Sequence, residues 1–302
     1  MNKTIYALGF FDGVHIGHRA LLSACRRLAA EHGCAAGVVT FASHPDTLVL
    51  GNTPRLIITL QDREWLLREK FHMDVVETLP FDARMRAMPW RDFLEMLMDG
   101  HDAAGFVCGE DFRFGRMGQG NAPLLAGFCA GRGLPCAVIP EQAIGGIRVS
   151  STYIRRQIET GDMATAVKFL GHPHILSGQV IHGHRLGRRL GIPTANLRLA
   201  DGLAVPKFGV YACRALVEGK TYPAVTNIGT RPTVDGQDIT VEPWILDYAG
   251  DLYGKKIILE LYQFLRPERK FPSLEALKEE IHRNAEQTRA LTERLPEGWG
   301  FK

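Results

Sequence analysis

The stretch Gly9-Phe10-Phe11-Asp12-Gly13-Val14-His15-Ile16-Gly17-His18 joins an apolar run to an amphipathic one. The run before it, Ile5 to Phe10, predicts a short buried strand, and the run from about His18 to His32 carries apolar residues at helical spacing. The stretch is therefore a predicted strand-to-helix turn. Phosphates bind at such turns, because the helix N-terminus offers unpaired N–H groups and glycines let the chain approach an anion.

Two histidines, His15 and His18, lie about one helical turn apart in this stretch. Their ring N–H groups can donate to a phosphate whose negative charge grows in a transition state. The ordinary alternative is a pair of surface histidines beside a helix cap. The combination of strand, glycine turn and helix favours the phosphate interpretation.

The composition of the 302-residue chain indicates a globular protein of two domains. Charged residues are 23% and hydrophobic residues 45% of the chain, which is ordinary for such proteins. We expect a cytoplasmic protein without a membrane partner, because no run approaches the ~20 apolar residues of a membrane span and no signal segment precedes the first strand. A net charge of +3 is too small to favour nucleic acid. The six cysteines include no Cys-x-x-Cys pair, which argues against a zinc site or a disulfide framework.

Strands and helices alternate from residue 4 to about residue 160, which predicts a parallel, Rossmann-like sheet. After the first strand, the apolar runs that predict its strands are Ala35 to Phe41, Asp74 to Leu79, Gly105 to Gly109 and Leu134 to Ile139. Ligands bind beyond the carboxyl ends of parallel strands, so we expect the site at that edge.

Polar motifs follow three of these strands. His44 lies in Thr40-Phe41-Ala42-Ser43-His44-Pro45, and Asp111 and Phe112 lie in Glu110-Asp111-Phe112-Arg113-Phe114-Gly115, which could also be an irregular surface loop. The third motif places Ser150, Ser151 and Thr152 at a predicted helix cap, with Arg155 one turn further on. Capping accounts for one hydroxyl, whereas a polyphosphate accounts for three hydroxyls and an arginine.

The periodicity changes after Gly171-His172-Pro173-His174. Runs with strand character then follow without intervening helices, at Ile175 to Ile181, Val210 to Val217, Tyr222 to Ile228, Ile239 to Leu246 and Lys256 to Leu265. This pattern predicts a small closed β-barrel, followed by a terminal helix that opens at Pro272-Ser273.

The segment from Gly183 to Asn196 combines glycines and arginines with a Pro-Thr-Ala-Asn sequence. Such a loop can wrap a phosphate tail, although a basic surface loop ending in a proline turn is the plain alternative. Thr194 and Asn196 offer neutral oxygens that suit Mg²⁺.

Alternation along a predicted strand places Thr240, Glu242 and Trp244 on one face. Glu242 is then either an ordinary exposed carboxylate or one that faces the mouth of the barrel.

The whole chain resembles the bacterial bifunctional riboflavin kinase/FAD synthetase family. The motifs that carry the resemblance are Gly-x-Phe-Asp-Gly-x-His-x-Gly-His, Thr-Phe-x-x-His-Pro, Gly-x-Asp-Phe-x-Phe-Gly, Ser-Ser-Thr-x-Ile-Arg, Gly-x-Pro-Thr-Ala-Asn and Asn-x-Gly-x-Arg-Pro-Thr, in family order. Two positions depart from the family pattern, since Trp244 stands where many relatives have histidine and Asn284 where the terminal helix often has aspartate.

The resemblance implies a role for each motif. His15, His18 and Glu242 are the implied catalytic residues, Glu242 as the base for the riboflavin 5′-hydroxyl. The implied adenylyltransferase site binds ATP through Gly9, Phe11, Asp12, Gly13, Gly17, Ser150, Ser151, Thr152 and Arg155, and nucleotide or flavin through His44, Asp111 and Phe112. The implied kinase site binds ATP through Gly183, Gly187, Arg188, Gly191, Pro193, Thr194 and Asn196, of which Thr194 and Asn196 meet Mg²⁺.

The implied enzyme phosphorylates riboflavin with ATP to FMN and then adenylylates FMN to FAD with release of pyrophosphate. The implied domains are residues 1–160 for adenylyl transfer, a linker at 161–174, and 175–302 for the kinase. We expect small-molecule substrates and a monomer or weak homo-oligomer. The alternatives are a monofunctional kinase with an inactive N-terminal domain, a flavin-sensing regulator, and a nucleotidylyltransferase for another phosphorylated substrate.

Overall fold

A computed structural model describes residues 3–49, 51, 53–182, 191–233 and 236–296. The chain divides into two compact units, Met1–Ser151 and Thr152–Lys302.

The first unit contains a five-stranded parallel sheet, which confirms the predicted Rossmann-like class. Its strands run in the order β3-β2-β1-β4-β7 and all neighbours pair in parallel. Their bounds are β1 Thr4–Leu8, β2 Ala35–Phe41, β3 Val75–Leu79, β4 Ala103–Gly109 and β7 Cys136–Ile139. Every residue of the central strand β1 is buried, as expected for a strand covered on both faces. Two short hairpins complete the strands, β5 Arg113–Phe114 with β6 Gly120–Asn121 and β8 Ala143–Ile144 with β9 Ile147–Arg148.

The helices of this unit begin at side-chain caps that the sequence supplies. The side chains of Thr59, Asp82 and Asn121 each accept a backbone N–H of the helix that follows. The helices are α1 Ile16–Glu31, α2 Pro45–Val49, α3 Leu60–Trp65 with a π-helical continuation Leu66–Lys70, α4 Ala83–Ala87, α5 Trp90–Gly100 and α6 Ala122–Ala130. The predicted inner face of α5 is buried at Phe93, Leu94 and Leu97.

The second unit contains the predicted closed barrel, whose strands pair antiparallel in the order β10-β11-β14-β13-β12-β15. Two helices, α7 Ser151–Thr160 and α8 Met163–Leu170, precede it. The strands are β10 His174–Ile181, β11 Asn196–Arg198, β12 Gly209–Val217, β13 Lys220–Thr233, β14 Gly236–Ile245 and β15 Lys256–Arg266. Strand β11 is three residues long, too short for a periodicity signal, and was not among the predicted strands.

The terminal helix α9, Leu274–Glu293, packs on β12 and β13 and is capped by Ser273. Its buried face differs from a purely apolar stripe, because Leu274 is 62% exposed while the side chains of Glu280, Asn284, Thr288 and Thr292 are buried. Arg266 at the end of β15 supplies partners for two of them, Glu280 and Asn284, which is why polar groups can face inward here. Across the described ranges, none of the helices is long and apolar enough to span a membrane.

His174, the first residue of β10, is completely buried, and neither of its ring nitrogens has a hydrogen-bond partner among the described residues. Burial, with a smaller effect of nearby His172, lowers the pKa of His174 to about 3. The unfolded chain therefore takes up a proton below about pH 6.5 that the folded protein does not bind until about pH 3. We expect the free energy of unfolding to fall as pH drops through this window, by up to about 1.4 kcal/mol per pH unit.

Urea unfolding of the wild type and of His174→Leu at pH 7 and pH 4.5 measures this effect. The variant should lose less stability on acidification, whereas the matched variant of exposed His182, His182→Leu, should behave like the wild type. Equal losses in the wild type and His174→Leu would assign the acid sensitivity to other groups.

Candidate active sites

The first unit has a cavity of about 280 Å³ at the carboxyl ends of β1, β4 and β7. It brings together motifs that are far apart in the sequence, since it is lined by Gly9, Phe10, His15, Gly17, His18, Gly109, Asp111, Phe112, Ile139, Pro140, Glu141, Arg148, Val149, Ser150 and Ser151, among others. The expectation that ligand-binding motifs meet at this edge of the sheet agrees with the position of the cavity.

The two histidines of the first motif stack on each other at the start of α1. Their ring centroids are 3.6 Å apart with an interplanar angle of 10°. His15 caps α1, because its Nδ1 accepts the backbone N–H of His18 at 3.3 Å. An imidazole that accepts at Nδ1 carries its proton on Nε2, so neutral His15 presents an Nε2–H donor. Gly17 leaves room for this ring, since a Cβ there would lie 3.2 Å from His15 Nδ1.

His18 is held in its neutral form. Burial, followed by the neighbouring His15 and Arg63, lowers the pKa of His18 well below its usual value. A neutral imidazole near the phosphates of a nucleotide acts through a directed N–H donor rather than a full charge.

The turn between β1 and α1 is built from residues with positive φ. Phe11 has φ of 59°, Gly13 of 76° and Val14 of 42°. Phe11, Asp12 and Gly13 are buried and do not contribute to the described lining of the cavity. Asp12 Oδ1 accepts the backbone N–H of Ile57 at 2.8 Å, and the Asp12 carbonyl accepts the Ser151 hydroxyl at 3.0 Å. These residues therefore shape the turn on which the cavity lies.

Arg63 on α3 is a buried arginine that lies outside the motifs by which the sites were predicted. It is 2% exposed, and its two Nη groups donate to the carbonyls of Phe10 and Phe41 at 2.6 Å each. The guanidinium also lies 4.3 Å from the centroid of the Phe10 ring, and the Thr40 hydroxyl donates to the same Phe10 carbonyl. Arg63 thus links the segment that follows β1 to the end of β2 by hydrogen bonds. A single arginine in a helical pattern gives no sequence signal for this contact.

A larger cavity of about 790 Å³ adjoins Phe112 in the same unit. Phe112 lines both cavities and stacks on Phe114 with centroids 5.4 Å apart. The larger cavity is lined by apolar side chains and three arginines, namely Phe41, Phe81, Met85, Phe93, Phe112, Phe114 and Met117 with Arg86, Arg113 and Arg116. Such a lining suits a planar aromatic ligand that carries a negative charge.

The structure places the remaining predicted adenylyltransferase residues in three different surroundings. Asp111 pairs with Arg148, which also pairs with Glu141. The ring centroids of His44 and Phe10 lie 4.6 Å apart in a T-shaped arrangement, and His44 Nδ1 accepts the Asp46 N–H. His44 is not in the described lining of either cavity. Thr152 and Arg155 lie on α7 and belong to the second unit, where Ile154 and Ile158 of the same helix are buried.

The barrel has a cavity of about 310 Å³ that contains Glu242. Arg266, Val210, Asn227 and Glu242 are direct register partners across β15, β12, β13 and β14, and all four line this cavity. Three strand spacings, or about 14 Å along the curved wall of the barrel, lie between the first and the last residue of this row. Thr194 lines the same cavity. The residue after it, Ala195, donates its N–H to the carbonyl of Pro243, the residue after Glu242, so Thr194 lies beside the row at Glu242.

Both departures from the family pattern face this cavity. Asn284 Oδ1 accepts the Arg266 Nε–H at 2.9 Å, and the Trp244 ring meets the His282 ring edge-on at 5.6 Å. An aspartate at 284 would give Arg266 a second carboxylate beside Glu280, so the asparagine leaves more of the arginine charge uncompensated.

Of the predicted phosphate-binding segment Gly183 to Asn196, the structure describes only residues 191–196. Gly183, Gly187 and Arg188 lie outside the described residues. Gly191 has φ of 73°, Pro193 is exposed, and Asn196 starts β11 as the partner of Ile181. Across the described ranges, no group of three or more His, Cys, Asp or Glu side chains could hold a metal ion.

Comparisons with known proteins match both units. A family model described as FAD synthetase matches residues 1–153, and one described as riboflavin kinase matches residues 170–292. A bifunctional riboflavin kinase/FMN adenylyltransferase of Listeria monocytogenes is 33% identical over 98% of this chain and 94% of its own length. The Escherichia coli (strain K12) protein of the same name is 37% identical over 93% of this chain and 90% of its own. A solved structure from Streptococcus pneumoniae, named a macrolide-efflux protein, has a TM-score of 0.85 at 28% identity and covers 95% of this chain and 94% of that one.

Proposed function

Because this chain belongs to the bifunctional riboflavin kinase/FMN adenylyltransferase family, we propose that its barrel cavity carries the kinase reaction and that the two cavities of its first unit carry adenylyl transfer. The enzyme phosphorylates riboflavin with ATP to FMN, and it adenylylates FMN with ATP to FAD and pyrophosphate. A monofunctional kinase is not supported, because the relatives that match the full chain are bifunctional.

In the kinase site, Glu242 is the general base. It would take the proton of the riboflavin 5′-hydroxyl as that oxygen attacks the γ-phosphorus and the bond to the β-phosphate oxygen breaks. The observation that carries this assignment is the row in which Glu242 lies in one cavity with Asn227, Arg266 and Thr194.

The donor set beside Glu242 fits Mg²⁺, because Thr194 lines the cavity with a neutral oxygen and the ion prefers few protein ligands. Thr194 and Asn196 would hold it, and the ion would neutralise charge on the transferring phosphoryl group. Gly183, Gly187, Arg188, Gly191 and Pro193 would surround the ATP phosphates.

In the adenylyltransferase site, ATP would occupy the cavity of about 280 Å³. The Nε2–H of His15, neutral His18, Ser150, the backbone N–H of Ser151 and the N–H groups of the glycine turn would bind its phosphates, with Gly9 and Gly17 allowing close approach. The Ser151 hydroxyl itself donates to the Asp12 carbonyl. Phe11, Asp12 and Gly13 would act by shaping the turn, and the phosphate-binding roles implied for Thr152 and Arg155 stay predictions from the sequence.

FMN would occupy the neighbouring cavity of about 790 Å³, with its ring among the phenylalanines and its phosphate near the arginines. Phe112 would lie between flavin and nucleotide, because it lines both cavities, and the binding roles implied for Asp111 and His44 stay predictions. The FMN phosphate is itself the nucleophile, since its oxygen bonds to the α-phosphorus of ATP while the bond to the bridging α–β oxygen breaks. Positioning and charge stabilisation are then the protein's main tasks.

We also propose that residues 1–160 form the adenylyltransferase domain, 161–174 a linker and 175–302 the kinase domain. The protein would be cytoplasmic, with small-molecule partners, no nucleic-acid or membrane partner, and a monomeric or weakly homo-oligomeric state.

Chromatography of flavins after incubation with riboflavin, ATP and Mg²⁺ tests the proposal, followed by the same experiment with FMN in place of riboflavin. We expect FMN and then FAD in the first experiment and FAD in the second, and no FMN when EDTA removes the metal. FMN without FAD would leave the assignment of the first unit unsupported. Flavin that binds without any product would favour a flavin-sensing role.

A further inference from the structure

Glu268 lies outside the motifs that carry the family resemblance, yet it lines the kinase cavity together with Glu242. It follows β15 in the segment Arg266-Pro267-Glu268-Arg269-Lys270-Phe271, which we call the wall segment. Four of its six residues, Arg266, Glu268, Arg269 and Phe271, line the cavity. The wall segment therefore forms one side of the site.

Glu268 reaches from this segment to β13. Its Oε1 accepts the Asn227 Nδ2–H at 3.1 Å, and Asn227 is the register partner of Glu242. A carboxylate can only accept, so Asn227 must turn its nitrogen towards Glu268. The Asn227 amide oxygen is then available to accept a hydrogen bond from a donor in the cavity. This oxygen belongs to the register partner of Glu242.

Gly229 makes room for this contact. A Cβ at position 229 would lie 2.3 Å from Glu268 Oε1, which is closer than any real side chain allows. Two residues of the β13 motif thus contribute to the position of the Glu268 carboxylate. Asn227 donates a hydrogen bond to it, and Gly229 leaves space for it.

The opposite side of the wall segment is held by α9. Buried Glu280 pairs with Arg266 at 3.6 Å and with Arg269 at 3.0 Å. These two guanidinium groups lie 5.4 and 4.9 Å from the centroid of the Phe271 ring. With one side fixed by Glu280, the contact of Glu268 with Asn227 fixes the other side against β13.

We propose that Glu268 is a positioning residue of the kinase site, which orients Asn227 so that its Oδ1 accepts a ribityl hydroxyl of riboflavin beside the hydroxyl that Glu242 deprotonates. This inference rests on the proposed kinase function of the barrel. The Glu268 side chain is exposed. Because it acts through Asn227, which would bind riboflavin, its loss should weaken riboflavin binding more than ATP binding.

The test compares Glu268→Ala, Gly229→Ala and the double variant by steady-state kinase assay. Each single variant should raise the KM for riboflavin and lower kcat/KM about tenfold, the loss expected for one hydrogen bond to a charged group, while the KM for ATP stays unchanged. Because both changes break the same contact, the double variant should lose no more than the worse single variant. The control Glu279→Ala, an exposed carboxylate of α9, should behave like the wild type.

Circular dichroism and thermal unfolding of the same samples report whether the barrel of each variant is folded. If Gly229→Ala fails to fold, the pair Glu268→Ala and Asn227→Ala gives the equivalent cycle. Losses that multiply in the double variant, or an unchanged riboflavin KM in Glu268→Ala, would overturn the inference. A wild type that makes no FMN would instead remove the proposed function on which it rests.

Discussion

Replacing Glu242 by alanine should lower the rate of FMN formation about 10²–10⁴-fold, the usual contribution of a positioned general base. Glu242 lines the barrel cavity, and the substitution removes the only group in our assignment that receives the proton of the attacking hydroxyl. The expected change is in kcat rather than in the KM for ATP, because the base acts in the chemical step. Product analysis with riboflavin and ATP measures it.

The same preparation of Glu242→Ala should still convert FMN to FAD at the wild-type rate. Glu242→Gln is the matched variant, since it keeps the shape of the side chain and one acceptor oxygen but cannot accept the proton. If Glu242→Gln retained most of the kinase rate, Glu242 would be a binding residue and not the base. Loss of both activities in a folded variant would contradict the assignment of independent sites.

Replacing His15 by alanine should lower the rate of FAD formation from FMN about 10²–10³-fold, the typical cost of losing one preorganised donor to a developing charge. His15 stacks on His18, and its Nδ1 caps α1, so its Nε2–H is aligned before ATP binds. Phosphorylation of riboflavin should be unaffected. The rate of FAD formation from added FMN, at saturating ATP, measures the effect.

His15→Asn separates catalysis from helix capping. Asparagine is a good N-cap, so this variant should recover the ~1 kcal/mol of stability that a lost cap costs, without recovering the rate. A rate close to that of the wild type in His15→Asn would mean that His15 only caps α1.

The class of each half of the protein could be predicted from local patterns. Apolar runs such as Ala35 to Phe41 mark buried strands, and β2 of the first unit has these same bounds. The change of periodicity after Gly171 separates the α/β unit from the barrel for the same reason, because strand and helix periods depend only on the local chain. Strand β11 was missed, since three residues carry too little of the pattern.

Candidate site residues could be predicted from the sequence only where they belong to short motifs. His15, His18, Ser150 and Ser151 line one cavity, and Glu242 and Thr194 another. Arg63 and Glu268 were not foreseen, because each acts through contacts with residues far along the chain, Arg63 with Phe10 and Phe41 and Glu268 with Asn227. Their partners are set by the packing of strands and helices and not by spacing in the sequence.

The sequence by itself determined the two fold classes, the strand-to-helix turn that carries His15 and His18, and the strand that carries Glu242. Only the tertiary structure decided which side chains share a cavity. It set Arg266, Val210, Asn227 and Glu242 in one row and placed Phe112 between two cavities of the first unit. The physical reason is that strand register and helix packing depend on contacts across the whole domain, whereas a motif records only neighbours along the chain.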